Sequence, residues 1–289
     1  MGNYDERITH NSNWRRIIRN VVYNIFRIET DFSRIYIDLN SCLSILFRYE
    51  NVNDNSITDE LTQIFEQFLT KYISKHTQIV ILWTLEKSSL HTSIYPGWCQ
   101  ERYNRVNISK SNFLKTLLVA LNEYSKNTKL VKIINTHDIH PALVVRYLEI
   151  GNRRSKSIVL SKDVVFQTLN MNNVAIFTGV DYIDFTDNER PLPDGIELEE
   201  PEVMLKYYLA IRGDMKHNEY PGVEKYGPKK SLDYVTFHKL EILAGCDHVL
   251  RGKEESLKEI CDKYSVLFDV NALNKLNTRD IGELISNRK

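Results

Sequence analysis

Apolar side chains at Trp14, Ile17, Ile18, Val21, Val22, Ile25 and Phe26 recur at i, i+3, i+4, i+7 spacing, which predicts an amphipathic helix over 13–28. Its other face carries Arg15, Arg16, Arg19 and Asn20. A basic face of this kind suits a membrane surface, a targeting presequence or docking on the rest of the protein, and docking is the expected role. Further along, the pattern shortens to β-branched runs at Ile35-Tyr36-Ile37, Ile79-Val80-Ile81-Leu82, Val131-Lys132-Ile133-Ile134, Ile158-Val159-Leu160 and Val174-Ala175-Ile176-Phe177. Helical spacing fills the intervals, at about 58–75, 110–126, 141–150 and 163–170. Short continuous apolar strands alternating with helices predict a mostly parallel sheet covered on both faces. Pro141 suits the first turn of its helix, and Gly151 suits its end.

The pattern changes near residue 185. Segment 186–201 is rich in Asp, Glu and Pro and reads as a connection, and the chain from Glu202 onward reads as helical. The expected organisation is an N-terminal helical extension over 1–30, an α/β domain over 31–185 and a helical C-terminal region over 186–289, with no internal repeat. The 289 residues are 42% hydrophobic and 26% charged, which excludes a disordered or low-complexity chain. No apolar run is long enough to span a bilayer, so no membrane partner is expected. No secretory signal is read at the N-terminus, and the scattered Cys42, Cys99, Cys246 and Cys261 fit reduced thiols, so the expected location is cytoplasmic. With 38 basic and 38 acidic residues, non-specific polyanion binding across the whole surface is not expected, although a local basic patch is compatible with this balance.

An open parallel sheet binds its ligands outside the carboxyl ends of the strands. Strand one ends at Asp38, strand two in Trp83-Thr84-Leu85-Glu86, strand three in His137-Asp138-Ile139-His140, and strand four in Ser161-Lys162-Asp163. Carboxylates gathered in one place repel unless something positive neutralises them, and hard divalent cations do this well. Each Asp alone also suits a helix N-cap.

The segment Gly213-Asp214-Met215-Lys216-His217-Asn218-Glu219-Tyr220-Pro221-Gly222-Val223-Glu224-Lys225-Tyr226-Gly227-Pro228-Lys229 resembles the GD-x-x-DN-x-PGV-x-G-x-G-x-K stretch of flap endonucleases and bacterial 5′–3′ exonucleases. Ser161-Lys162-Asp163-Val164-Val165-Phe166-Gln167 is similar to that family's S-x-D-x-D-F-x-Q, Asp38 to its first-strand aspartate, and Asp138-Ile139-His140-Pro141-Ala142 to its E-A-D-D. The likeness runs from Asp38 to Lys229, about two thirds of the chain. It implies a PIN-like, flap-endonuclease-like α/β fold followed by a helix–three-turn–helix element. In that family the glycine-rich hairpin of this element lets backbone amides approach a nucleic-acid phosphate. By resemblance, Asp38, Asp138, Asp163 and Asp214 form the acidic centre. The backbone at Gly222 and Gly227 contacts phosphate together with Lys225, Lys229 and Lys230, while Arg102 and Arg105 line the strand-threading side. Trp98 and Tyr103 are further candidates for nucleic-acid contact. A chain of this size with an Asn/Ile/Lys-rich composition is compatible with a phage-encoded member, whose location would be the host cytoplasm.

Departures from the pattern fall on metal ligands. Thr84 stands at the second-strand aspartate, with Glu86 two residues on. His140 and Pro141 replace two acids, Val165 replaces another, and His217 another. One residue is added between Asn218 and Pro221, Lys225 takes the place of a hairpin glycine, and Cys99 that of a basic residue, with Arg102 shortly after. Two-metal hydrolysis clamps both reacting oxygens between two divalent ions, and four aspartates at most balance that charge. They suit one Mg²⁺ or Mn²⁺ ion better than two. Loss of one preorganised group commonly costs about a hundredfold in rate. The expected function is therefore a nucleic-acid-binding protein with a degenerate metal site, binding structured DNA or RNA. Two alternatives stay open: an active Mg²⁺- or Mn²⁺-dependent 5′ nuclease, and an interaction module that keeps only the fold and joins a protein or ribonucleoprotein complex. A transition-metal set of His137, Asp138, His140 and His217 is a lesser alternative.

Overall fold

The computed structural model describes residues 32–43, 76–99, 108–152, 155–178, 182–184, 192–244, 253–276 and 281–282, together with 63, 66, 67 and 70. Within those ranges 85, 87, 127, 170, 216 and 217 are not described. The 13–28 helix, most of the 58–75 pattern, Arg102, Tyr103, Arg105 and His217 lie outside the described residues.

The strands are β1 (Arg34–Asp38), β2 (Gln78–Trp83), β3 (Val131–Asn135), β4 (Ser157–Leu160), β5 (Val174–Phe177) and β6 (Tyr182–Asp184). They form one sheet in the order β3-β2-β1-β4-β5-β6. The first five are parallel and coincide with the five apolar runs. β6 pairs antiparallel with the β5 edge. Its three residues carry too little pattern to announce a strand. β1 and β4 are buried along almost their whole length, because both faces of a parallel sheet are covered by other elements.

The described helices are α1 (Leu39–Leu43), α2 (Ser89–Ile94), α3 (Ile108–Lys126), α4 (Pro141–Glu149), α5 (Pro201–Arg212), α6 (Pro228–Phe237), α7 (Lys239–Ala244), α8 (Lys253–Tyr264) and α9 (Val270–Leu276). Pro141 opens α4, as its fixed φ favours. The expected helix at 163–170 is instead a 3₁₀ turn over Val164–Thr168. Val164, Val165 and Phe166 are all buried, so this segment has no polar face to offer a solvent-facing helix. The core is continuous: β1 and β2 residues Tyr36, Val80 and Leu82 share one apolar cluster with Met204, Tyr208 and Phe268 of the helical C-terminal part.

At the starting edge of the strands, the buried Glu149 carboxylate is ringed by donors. Its Oε1 accepts from Arg34 at 2.6 Å, Tyr36 at 2.7 Å and Ser157 at 3.0 Å. Its Oε2 accepts from Asn152 at 2.7 Å and Asn173 at 2.8 Å. These partners begin β1, begin β4 and precede β5, so one side chain of α4 ties three strands. A buried carboxylate is tolerated only with such compensation. Replacing Glu149 with Ala should lower the unfolding free energy by about 3 kcal/mol or more, read from urea denaturation. A loss below about 1 kcal/mol would show that the donors find other partners and that this edge is held otherwise.

Candidate acidic centre and phosphate hairpin

In the order β3-β2-β1-β4-β5, the direction of winding reverses between β1 and β4, and ligands of open α/β sheets settle at such a point. Asp38 closes β1 there, and Asp163 follows β4. Asp38 is 4% exposed. Its Oδ1 accepts from the Ser41 amide at 3.2 Å and its Oδ2 from the Ser161 hydroxyl at 2.7 Å. The Ser161 oxygen in turn accepts from the Asp163 amide at 3.1 Å. Ser161 thus links the two strand-end aspartates.

Asp163 is engaged on both oxygens. Oδ1 accepts from the Val165 amide at 3.0 Å and from Asn218 Nδ2 at 3.1 Å, while Oδ2 lies 3.1 Å from His140 Nε2. His140 also caps α4, its Nδ1 accepting from the Ala142 amide at 3.2 Å. With Nδ1 occupied as an acceptor, the ring proton sits on Nε2 and points at Asp163. Burial pushes the Asp163 carboxyl up, but the His140 contact, the Val165 amide and Asn218 outweigh it and hold the group below its ordinary range. Asp214 joins through Asn218, whose Nδ2 also donates to its Oδ2 at 2.8 Å. Three of the four expected aspartates therefore lie on one hydrogen-bonded chain.

Asp138 stands apart from that chain. It follows the edge strand β3, two strands from β1, and its Oδ2 accepts from Ser89 Oγ at 2.9 Å. Thr84 is buried, and its hydroxyl donates to the His137 carbonyl and accepts from the Glu86 amide at 2.9 Å. Glu86 is half exposed and faces the His137 ring at 3.3 Å. Val165, fully buried, packs in the core. Among the described residues no group of three or more His, Cys, Asp or Glu side chains is placed to hold a metal ion. The donors aimed at Asp38, Asp163 and Asp214 oppose a cation, so the residues present do not fit the paired ions that the resemblance implies.

The hairpin is tightly built. Gly213 follows α5 at φ 80° and Gly222 has φ 69°. A Cβ on Gly222 would sit 2.4 Å from the Gly213 nitrogen, and one on Gly213 would sit 2.5 Å from the Pro221 carbonyl carbon. The two backbones touch, and only glycine fits. The Asp214 amide donates to Tyr220 O at 2.7 Å and the Val223 amide to Ile211 O at 2.8 Å. Lys225, in place of a glycine, takes φ 69°, the left-handed conformation that the glycine would supply. Gly227 caps α6 and Pro228 occupies its first position. Lys229 and Lys230 are exposed, and their amides precede the first intrahelical bond, from the Ser231 amide to Gly227 O at 3.0 Å. Lys225 is also exposed and lies 3.9 Å from Glu224.

Trp98 corrects an expectation. It is 2% exposed and packs edge-on to Phe268 at 5.6 Å, so it belongs to the core and cannot stack on a base. Cys99 is buried, and its amide donates to Asn218 O at 2.9 Å. The sequence did not mark His140 as a donor to Asp163, nor Asn218 as the bridge. The sequence also left His91 unremarked. Fully buried, it lies 3.0 Å from the Leu267 carbonyl through Nε2 and 2.8 Å from Ser88 Oγ through Nδ1. Its ring stacks near His140 at 4.9 Å. Nothing in its local spacing distinguishes it from an ordinary helical histidine.

No family model matches the sequence, and no curated protein sequence matches it. Solved structures do resemble the fold. A 5′-exonuclease of bacteriophage T5 with bound zinc superposes with a TM-score of 0.60 at 16% identity, covering 88% of this chain and 97% of that one. A T5 flap endonuclease in a pseudo-enzyme–product complex with DNA and metal ions gives a TM-score of 0.58 at 15% identity, covering 88% and 97%. A mutant of the T5 5′-exonuclease gives 0.53 at 17% identity, covering 88% and 100%. The chain has a flap-endonuclease-like, PIN-like fold.

Burial pushes the His91 imidazole down from 6.5 to about 3, and the neighbouring His140 adds to the shift. An unfolded chain takes up this proton near pH 6.5, whereas the folded chain resists it until about pH 3. The stability that neutral His91 contributes is thus complete above about pH 6.5 and declines as the pH falls, at up to about 1.4 kcal/mol per pH unit. Asp163 acts in the same direction lower down, since its stabilisation is present above about pH 4 and is lost in stronger acid. Urea denaturation across this range should show the decline, and His91→Asn should flatten its upper part. A variant with the same pH dependence as the parent would refute the assignment.

Proposed function

We propose that the chain binds structured DNA or RNA through its hairpin and the first turn of α6, on a nuclease scaffold whose acidic centre no longer supports phosphodiester hydrolysis. One contrast carries this reading: the hairpin keeps its shape while the acidic centre loses its ligands. Lys225 holds the left-handed backbone of an absent glycine, a conformation that costs a non-glycine residue roughly 1–2 kcal/mol. At the acidic centre, by contrast, a core valine stands at one ligand position and a capping histidine at another.

Binding follows from the local chemistry. The Lys229 and Lys230 amides open the positive end of the α6 dipole, where a phosphate is favoured. Pro228 has no N–H to misdirect, and the Lys225, Lys229 and Lys230 ammonium groups add charge that the neutral whole does not supply. The T5 flap endonuclease of similar fold is described in complex with DNA, which supports nucleic acid as the ligand class. Asp38, Asp163 and Asp214 then hold the centre together, while Asp138 stands apart, bonded to Ser89.

Fluorescence anisotropy with a 5′-flap DNA and an RNA/DNA hybrid tests the reading. Affinity should fall as salt rises, and Lys229→Ala and Lys230→Ala should each reduce the slope of log K against log salt by about 1. Gly222→Ala should abolish binding, because its methyl group enters the Gly213 backbone. The same substrates incubated with Mg²⁺ or Mn²⁺ should remain intact. Cleavage that disappears in Asp38→Ala and Asp163→Ala would overturn the proposal in favour of an active 5′ nuclease.

A further inference from the structure

We infer that Asn218 is a positioning residue that takes the place of a bridging cation in the acidic centre, so that the centre serves as a metal-independent latch between the hairpin and the sheet. The inference rests on the reading that the centre does not hold paired ions.

Two carboxylates drawn into one buried pocket repel and need positive charge or donors between them. Asp163 and Asp214 come from distant parts of the chain, and the single Nδ2 group of Asn218 spans them, at 3.1 Å to one and 2.8 Å to the other. A primary amide has two protons, and here each carboxylate receives one. The remaining polar groups of Asn218 are engaged as well. Its amide donates to Asp214 O at 3.0 Å, its carbonyl accepts from the Cys99 amide at 2.9 Å, and its Oδ1 lies 3.6 Å from Cys99 Sγ. The residue is 1% exposed. A buried asparagine satisfied at every atom is fixed in one orientation, which is what a bridge requires.

The other donors complete the same task. His140 Nε2 supplies a proton to the second Asp163 oxygen, and Ser161 carries the chain to Asp38. Together they join β1, the turn after β4, the cap of α4 and the loop after α5. Cys99 and His140 stand where the resemblance places charged side chains, and both now support the latch, Cys99 by holding Asn218 and His140 by donating to Asp163.

A merely structural asparagine and a cation substitute differ in what replaces them. Asn218→Ala removes the bridge and adds no charge. Asn218→Asp turns two donors into acceptors, sets a third carboxylate against two and creates a demand for a cation. Thermal melting of the full chain should give the same Tm in EDTA and in millimolar Mg²⁺ or Mn²⁺, within about 1 °C. Both variants should melt lower in EDTA, and Mn²⁺ should raise Asn218→Asp by about 3 °C or more while leaving Asn218→Ala unmoved. An Asn218→Asp protein no more metal-responsive than Asn218→Ala overturns the inference. Should the variants fail to fold, electron paramagnetic resonance of Mn²⁺ titrated into the unaltered chain decides. An undiminished free-ion signal supports the latch, and uptake of an ion that is lost in Asp163→Asn refutes it. Anisotropy in EDTA separates this inference from the functional one. Absence of nucleic-acid binding with a metal-insensitive Tm removes the functional reading alone, whereas binding that requires Mn²⁺ removes the latch.

Discussion

Asp38, Asp163 and Asp214 come to one place because β1 and β4 are neighbours in the sheet and the loop after α5 folds over their ends. Every other feature of this edge answers the repulsion that their meeting creates. A nuclease with paired ions answers it with metal. Here a serine, a histidine, an asparagine and backbone amides point their protons at the carboxylates. Hydrogen bonds to ionised groups are stronger than neutral ones, and inside a protein they are less diluted by solvent, so such a ring can hold a buried charge.

The two edges of the sheet solve the same problem with different consequences. At the starting edge one carboxylate, Glu149, is buried and meets five donors, Arg34 among them. At the finishing edge the carboxylates are shared among elements that are far apart in the chain. Their partners sit on the α4 cap and on the hairpin, so whatever stabilises the charges also positions the hairpin. His91 lies between these parts, bonding the turn that carries Phe268 while stacking beside the His140 that serves Asp163. Its burial in neutral form couples the docking of the C-terminal helices to pH.

The hairpin shows which geometry the fold preserves. Gly213 and Gly222 must be glycines because their backbones touch, and Lys225 accepts left-handed strain where a third glycine would relieve it. A strained residue persists only where its surroundings over-determine it. The Tyr220 carbonyl bond to Asp214 and the Val223 bond to Ile211 supply that determination. The lysine side chain then stands in solvent, as do those of Lys229 and Lys230.

Much of this was legible in the sequence. Five apolar runs located the parallel strands and Pro141 the start of α4, because each of these is a local property of a few consecutive residues, and the hairpin was implied by the resemblance of the Gly213–Lys229 stretch. The aspartates at strand ends were legible for the same reason. The sequence did not show that Asp138 stands apart, that Trp98 is core, that 164–168 is a 3₁₀ turn, or that β6 closes the edge. Those depend on strand order and on what covers each face. Asn218 meets Asp163 across 55 positions, Ser161 meets Asp38 across 123, and His91 meets Leu267 across 176. No local pattern encodes pairings at such separations, so the residue types were fixed by the chain, and only the folded topology decided which donor would answer which charge.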